Sequence, residues 1–67
     1  MQNNLYDYLF VLTEYSENEG EQFLVEETSL KRARELLIND YSFDPKEFKF
    51  IERLSVEEGE WLGLDTY

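Results

Sequence analysis

Apolar residues recur at every second position from Leu5 to Tyr15, a stretch rich in Tyr, Phe, Val and Thr without Gly or Pro, and this period predicts a long strand. Tyr6, Tyr8, Phe10 and Leu12 fall on one face. Leu5, Leu9, Val11 and Tyr15 share the other with Asp7 and Thr13. Both faces are apolar at the centre, which predicts a central strand with something packed on each side. Ser16 to Glu21 breaks the alternation, and its Asn18 and Gly20 suit the left-handed conformations of a hairpin loop. Gln22 to Glu26 returns as a second strand, with Phe23 and Val25 on one face and Leu24 on the other.

The pattern then turns helical. Thr28 and Ser29 are good N-cap residues, and Leu30, Ala33, Leu37 and Tyr41, with Leu36 alongside, form one apolar stripe. A helix is expected at about 29–40, ended by the loop that runs through Asp44-Pro45, because the residue before a proline disfavours helix. Glu47 to Leu54 reads as a third strand. Simple alternation puts Phe48, Phe50, Glu52 and Leu54 on one face and Lys49, Ile51 and Arg53 on the other. Ser55 to Glu58 is an S-x-x-E capping box opening a short helical turn that carries Trp61 and Leu62 and stops at Gly63.

Residues 1–67 are therefore expected to form one small α+β domain of ββαβ(α) order. Its three-stranded antiparallel or mixed sheet has the spatial order 2-1-3, with the long helix on one face. One main helix leaves the opposite face under-covered. That face is expected to meet the C-terminal segment with Trp61, Leu62 and Leu64, a partner, or a second copy.

Length tempers the picture, because a 67-residue chain buries only about 60% of the surface it exposes when unfolded. The sequence holds no Cys and no His, so disulfides and the usual structural zinc sites are excluded. Eleven aromatics (five Tyr, five Phe, one Trp) provide a core where a disordered acidic tail would have none. They exceed what this sheet and one helix can hide, so two or three exposed Tyr or Trp side chains are expected to serve recognition. The start of the chain lacks a basic leader and the longest uncharged apolar run, Tyr8 to Thr13, is far below the ~20 residues of a membrane span. A cytoplasmic, soluble protein is expected.

Charge layout changes the picture most. The net charge is −10, distributed as −7 over residues 1–30, +1 over 31–53 and −4 over 54–67, and all six bases lie in the middle segment. Phosphate binding needs a basic footprint, so direct contact with nucleic acid or an anionic bilayer is excluded. No nucleophile elbow, phosphate loop or dinucleotide motif occurs, and no enzyme activity or cofactor is expected. Glu17, Glu19 and Glu21 around Gly20 lack the Asp/Asn pattern of a calcium loop and read as a solvated turn that guards a sheet edge. Lys31, Arg32 and Arg34 oppose the dipole of the long helix and are expected to be compensated by Glu26, Glu27 and Glu35.

The phrases QFLVEETSLKRARELL and LSVEEGEWLGLDTY give the chain its hairpin-then-helix middle and acidic close. In these the chain resembles the small acidic proteins of bacteriophages and other mobile elements, a group that includes anti-CRISPR and other anti-defence inhibitors, some of them DNA mimics. The resemblance spans most of the chain in architecture and implies an inhibitor of a nucleic-acid-handling defence enzyme. From the residues themselves, a non-enzymatic binding protein is expected, docking on a basic surface of a larger protein that handles nucleic acid. Glu14, Glu17, Glu19, Glu21, Glu26 and Glu27 are the expected acidic contact strip. Two alternatives stand beside it: a module that forms homodimers or larger oligomers through an open sheet face, and an antitoxin or immunity-type partner of a basic toxin.

Overall fold

The apolar alternation of YDYLFVL builds β1 (Tyr6–Leu12), and QFLVEE builds β2 (Gln22–Glu27), joined to it antiparallel from Tyr6 opposite Glu27 to Val11 opposite Gln22. The computed structural model describes residues 4–67. Met1 to Asn3, part of the stretch read above as lacking a basic leader, lie outside the described residues. After β2 come α1 (Leu30–Asn39), a 3-10 turn (Pro45–Glu47), β3 (Phe48–Leu54) and α2 (Val56–Leu62). The three strands form one sheet in the order β2-β1-β3 with both ladders antiparallel, so the fold is α+β with β1 at the centre.

Two helices cover the two faces of β1 for different reasons. Ser29 caps α1, its hydroxyl accepting from Arg32 N at 3.1 Å, and the helix buries Ala33 and Leu37 against the sheet. Tyr8, Phe10, Leu12, Phe23, Val25 and Phe48 complete this core from the strands, with Leu30, Leu36 and Phe43 packed at its margin. Rings knit it together: Phe10 lies 5.7 Å from Phe23, 5.5 Å from Phe48 and 5.9 Å from Phe50 between centroids. Edge and offset geometries of this kind add to plain area burial. Ser55 caps α2 through the expected capping box with Glu58, and Gly63 ends it in the left-handed region at φ 65°.

The chain departs from simple alternation in four places. β1 ends at Leu12, because Thr13 to Gly20 already turns, so Tyr15 projects from the loop and lies under Lys46 Nζ at 5.3 Å. Glu47 belongs to the 3-10 turn, where its carboxylate accepts from Asp44 N at 2.9 Å in a second capping box, and β3 begins one residue later. Helix α1 stops at Asn39, which leaves Tyr41 outside the stripe, half-exposed and packed edge-on against Tyr67 at 4.9 Å.

The fourth departure matters most. Between Leu9 and Phe10 the β1–β3 register slips by one: Phe10 pairs with Phe50 but Leu9 pairs with Glu52, and Ile51 is the extra residue. A bulge inverts the parity of everything beyond it. Phe48 and Phe50 stay on the α1 side, as expected, but Glu52 and Leu54 cross to the α2 side with Leu9 and Asp7. Arg53 moves the other way and stacks over the Tyr6 ring at 4.3 Å.

The tail closes one sheet edge. Leu24 N donates to Asp65 O at 2.8 Å and Tyr67 N donates to Leu24 O at 2.7 Å, a parallel bridge of Thr66 to the outer side of β2. Tyr67 thereby returns to the α1 core, 4.8 Å from the Phe23 ring. No helix among the described residues is long and apolar enough to cross a membrane.

Candidate functional site

Four of the six expected contact carboxylates gather at the hairpin. Glu14, Glu17, Glu19 and Glu21 are all exposed there, on a loop held by Ser16 N to Thr13 O at 3.0 Å, Glu21 N to Asn18 O at 3.1 Å and Gly20 N to Leu12 O at 2.9 Å. Gly20 supplies the positive φ of 88° that the return needs. Thr13 Oγ1 donates to Lys46 O, which ties the loop to the 3-10 turn. Among the described residues no group of three or more acidic side chains is disposed to hold a metal ion, and Glu17, Glu19 and Glu21 are each exposed.

Glu26 and Glu27 sit at the other end of β2, about 17–20 Å from Glu21 at roughly 3.4 Å per strand residue. Alternation sends them to opposite faces. Glu27 is half-buried on the α1 side, accepts from Thr28 N at 3.2 Å, and lines a shallow cavity of about 200 Å³ with Arg32 and Glu35. This places two of the three expected compensating acids beside the basic start of α1. Glu26 is exposed on the α2 side, opposite Asp7. The strip is thus a hairpin group of four and a pair at the far end of β2.

Half of the six bases lie against rings. Arg34 lies 5.2 Å over Phe48, Lys46 lies over Tyr15 and Arg53 over Tyr6. Each such contact is worth about 0.5–1 kcal/mol at a partly exposed site. It also anchors the cation, Arg53 at the far end of β1 from the hairpin and Lys46 at the base of the loop.

On the opposite face sits a residue that alternation located but did not single out. Asp7 is 3% exposed, the second residue of β1, with its Oδ1 buried and without a hydrogen-bond partner among the described residues. Gly59 of α2 lies directly on it: a methyl group at that glycine would overlap the Asp7 carboxylate. Burial, and then the nearby charges of Glu26 and Glu60, push the Asp7 carboxyl above its ordinary value of 3.8. The signal was an acid inside an otherwise apolar run of a strand expected to be central, since an aspartate is rarely fully buried without a partner.

The sign of the pH effect follows. A carboxyl raised in the folded state costs nothing while both states are protonated, below about 3.8. The cost grows as pH rises from there and is complete above the folded-state value. Asp7→Asn keeps the shape and removes the charge, so it is expected to stabilise the protein at neutral pH by about 1–3 kcal/mol. Urea melts at pH 3 and pH 7 check this: the variant's advantage should be present at pH 7 and vanish at pH 3, whereas an equal advantage at both would show that ionisation is not the cause.

Beside Gly59, α2 leaves its largest side chains uncovered. Trp61 is 77% exposed and Leu62 48%. They border a groove of about 250 Å³ whose other walls are Leu9, Leu54, Gln22, Glu52 and Glu58. Of the three covers expected for this face, the C-terminal segment is the one that lies there, but α2 meets the sheet through its glycine and not through Trp61. Trp61 stands two residues from Gly59, about 200° around the helix, and so points away from the sheet. No family model, curated protein or solved structure matches this chain.

Proposed function

We propose that this chain is a non-enzymatic acidic binding protein that docks on a basic, nucleic-acid-binding surface of a larger protein and blocks it. The observation that carries this reading is the hairpin: four exposed carboxylates on an ordered loop, with three of the chain's six bases held against rings. At −10 on 67 residues, the protein approaches a cationic groove under long-range attraction, and approaches another copy of itself under repulsion. Inhibition of a defence nuclease by occupying its nucleic-acid channel, in the manner of phage-encoded nucleic-acid mimics, is the concrete form of the proposal. Under this reading the protein acts in the cytoplasm, where such a target works.

The test is inhibition and binding across a panel of purified nucleases and repressors. Affinity for the target is expected to fall at least tenfold between 50 and 200 mM salt, and the target's own nucleic acid should compete. Glu17→Gln, Glu19→Gln and Glu21→Gln together should weaken binding by a further tenfold or more, each exposed charge counting for some tenths of a kcal/mol upward. Salt-indifferent affinity, or binding that nucleic acid does not displace, would sink the proposal.

A further inference from the structure

The groove beside α2 adds something the hairpin lacks. Among the described residues Trp61 is the most exposed large apolar side chain, it is the only tryptophan of the chain, and Leu62 next to it is half-exposed. Tryptophan is the residue most enriched where binding energy concentrates, and solvent contact at this level is costly for a domain with a thin core. The groove floor is apolar, made by Leu9 and Leu54, while Glu52 and Glu58 stand on its walls. Acids extend the rim: Glu57 and Glu60 are exposed on the same helix, and Glu26 on the same side of the sheet. The strand register places one base, Lys49, on this side.

Shape and charge select the occupant. At about 250 Å³ and open, the groove is smaller than the roughly 300–1,000 Å³ of small-molecule pockets. An anionic membrane or nucleic acid would be repelled by the rim. A symmetric second copy would bring one acidic rim against another, and like charges facing across an interface disfavour it. A segment with an apolar side chain for the floor and lysines or arginines for the rim satisfies both features.

We propose that the Trp61–Leu62 groove is the anchoring site for a basic, apolar-centred segment of the partner protein, the hairpin carboxylates serving approach more than grip. This rests on the functional reading above and names its contact face. The bulge in β3 is what makes the site, because without it Glu52 and Leu54 would face α1.

The lone tryptophan reports on its own surroundings. The probe is a synthetic lysine–leucine peptide with a helical apolar stripe, compared with an oligolysine of equal charge. The amphipathic peptide is expected to blue-shift Trp61 emission and shield it from acrylamide, and to bind at least tenfold more tightly than the oligolysine. Trp61→Ala, followed by calorimetry, should weaken it tenfold or more. Glu52→Gln with Glu58→Gln should weaken it several-fold; glutamine at 58 preserves the capping box. The hairpin triple variant should leave the blue shift intact.

Equal affinity for both peptides, lost in the hairpin variant and unaffected by Trp61→Ala, would overturn the groove and leave the acidic-binding reading standing. Failure of both peptides to bind at low salt would overturn both. Sedimentation showing self-association that Trp61→Ala abolishes would name a second copy as the occupant and overturn the proposal. Far-UV circular dichroism confirms that each variant is folded, which the exposure of Trp61, Glu52 and Glu58 leads us to expect.

Discussion

Phe10→Ala is expected to remove about 3–5 kcal/mol of stability, a large share of all that the protein has. The ring is fully buried at the centre of the central strand and touches Phe23, Phe48 and Phe50, so every strand loses a partner at once. Truncating a buried phenylalanine costs about 3–5 kcal/mol. A 67-residue domain holds roughly 3–10 kcal/mol in total, at 0.05–0.15 kcal/mol per residue. The surviving stability therefore lies between nothing and about 7 kcal/mol. Thermal melts followed by near-UV circular dichroism read this directly: a fall in Tm of about 15 °C or more, or no cooperative transition at all. Ile51→Ala, at the exposed bulge residue, provides the control and should stay within about 0.5 kcal/mol of the parent. A Phe10→Ala variant melting within a few degrees of the parent would mean that the aromatic cluster is not the structural centre.

Gly59→Ala is expected to detach α2 and cost about 2–3 kcal/mol, the upper end for overpacking. In an isolated helix the substitution would help by about 1 kcal/mol, so propensity and packing pull in opposite directions. Packing wins because the new methyl group would meet the Asp7 carboxylate, and even the Asp7 Cβ stands only 2.9 Å away. Asp7 cannot swing aside, since it is buried and its backbone pairs with Glu26 on one side and Leu54 on the other. The helix must lift instead, which exposes Leu9 and Leu54. Hydrogen exchange should show the amides of α2 losing protection while those of β1 and α1 keep theirs. Asp7→Ala should rescue at least half of the loss, a coupling that a general helix defect would not show. Since the groove walls come from both α2 and the sheet, Gly59→Ala should also weaken the amphipathic peptide.

These two substitutions bracket how the molecule is built. The α1 side is a dense aromatic core that holds the fold together. The α2 side is a lighter layer, docked through a glycine on an acid, and that layer carries the exposed tryptophan. A binding face made from the less stable layer can adjust to a partner without endangering the fold.

Alternation along β1, the hairpin residues Asn18 and Gly20, the Ser29 cap and the Ser55–Glu58 capping box are local signals, and each specified its element from neighbours within a few positions. They were enough for the element order, the 2-1-3 sheet, the α1 face of the core and the charge layout. The tertiary structure decided whatever depends on pairing between distant residues. A bulge opposite Leu9 and Phe10 is a property of two strands together, so period-two reading of β3 assigned Glu52, Arg53 and Leu54 to the wrong sides. The contact of Gly59 with Asp7 joins positions 52 residues apart, and it turned an acid in a strand into a buried carboxyl whose charged form is disfavoured. The tail's bridge to Leu24 brought Tyr67 into the core in the same way. Local sequence sets which face a side chain prefers; only the assembled chain sets what that face meets.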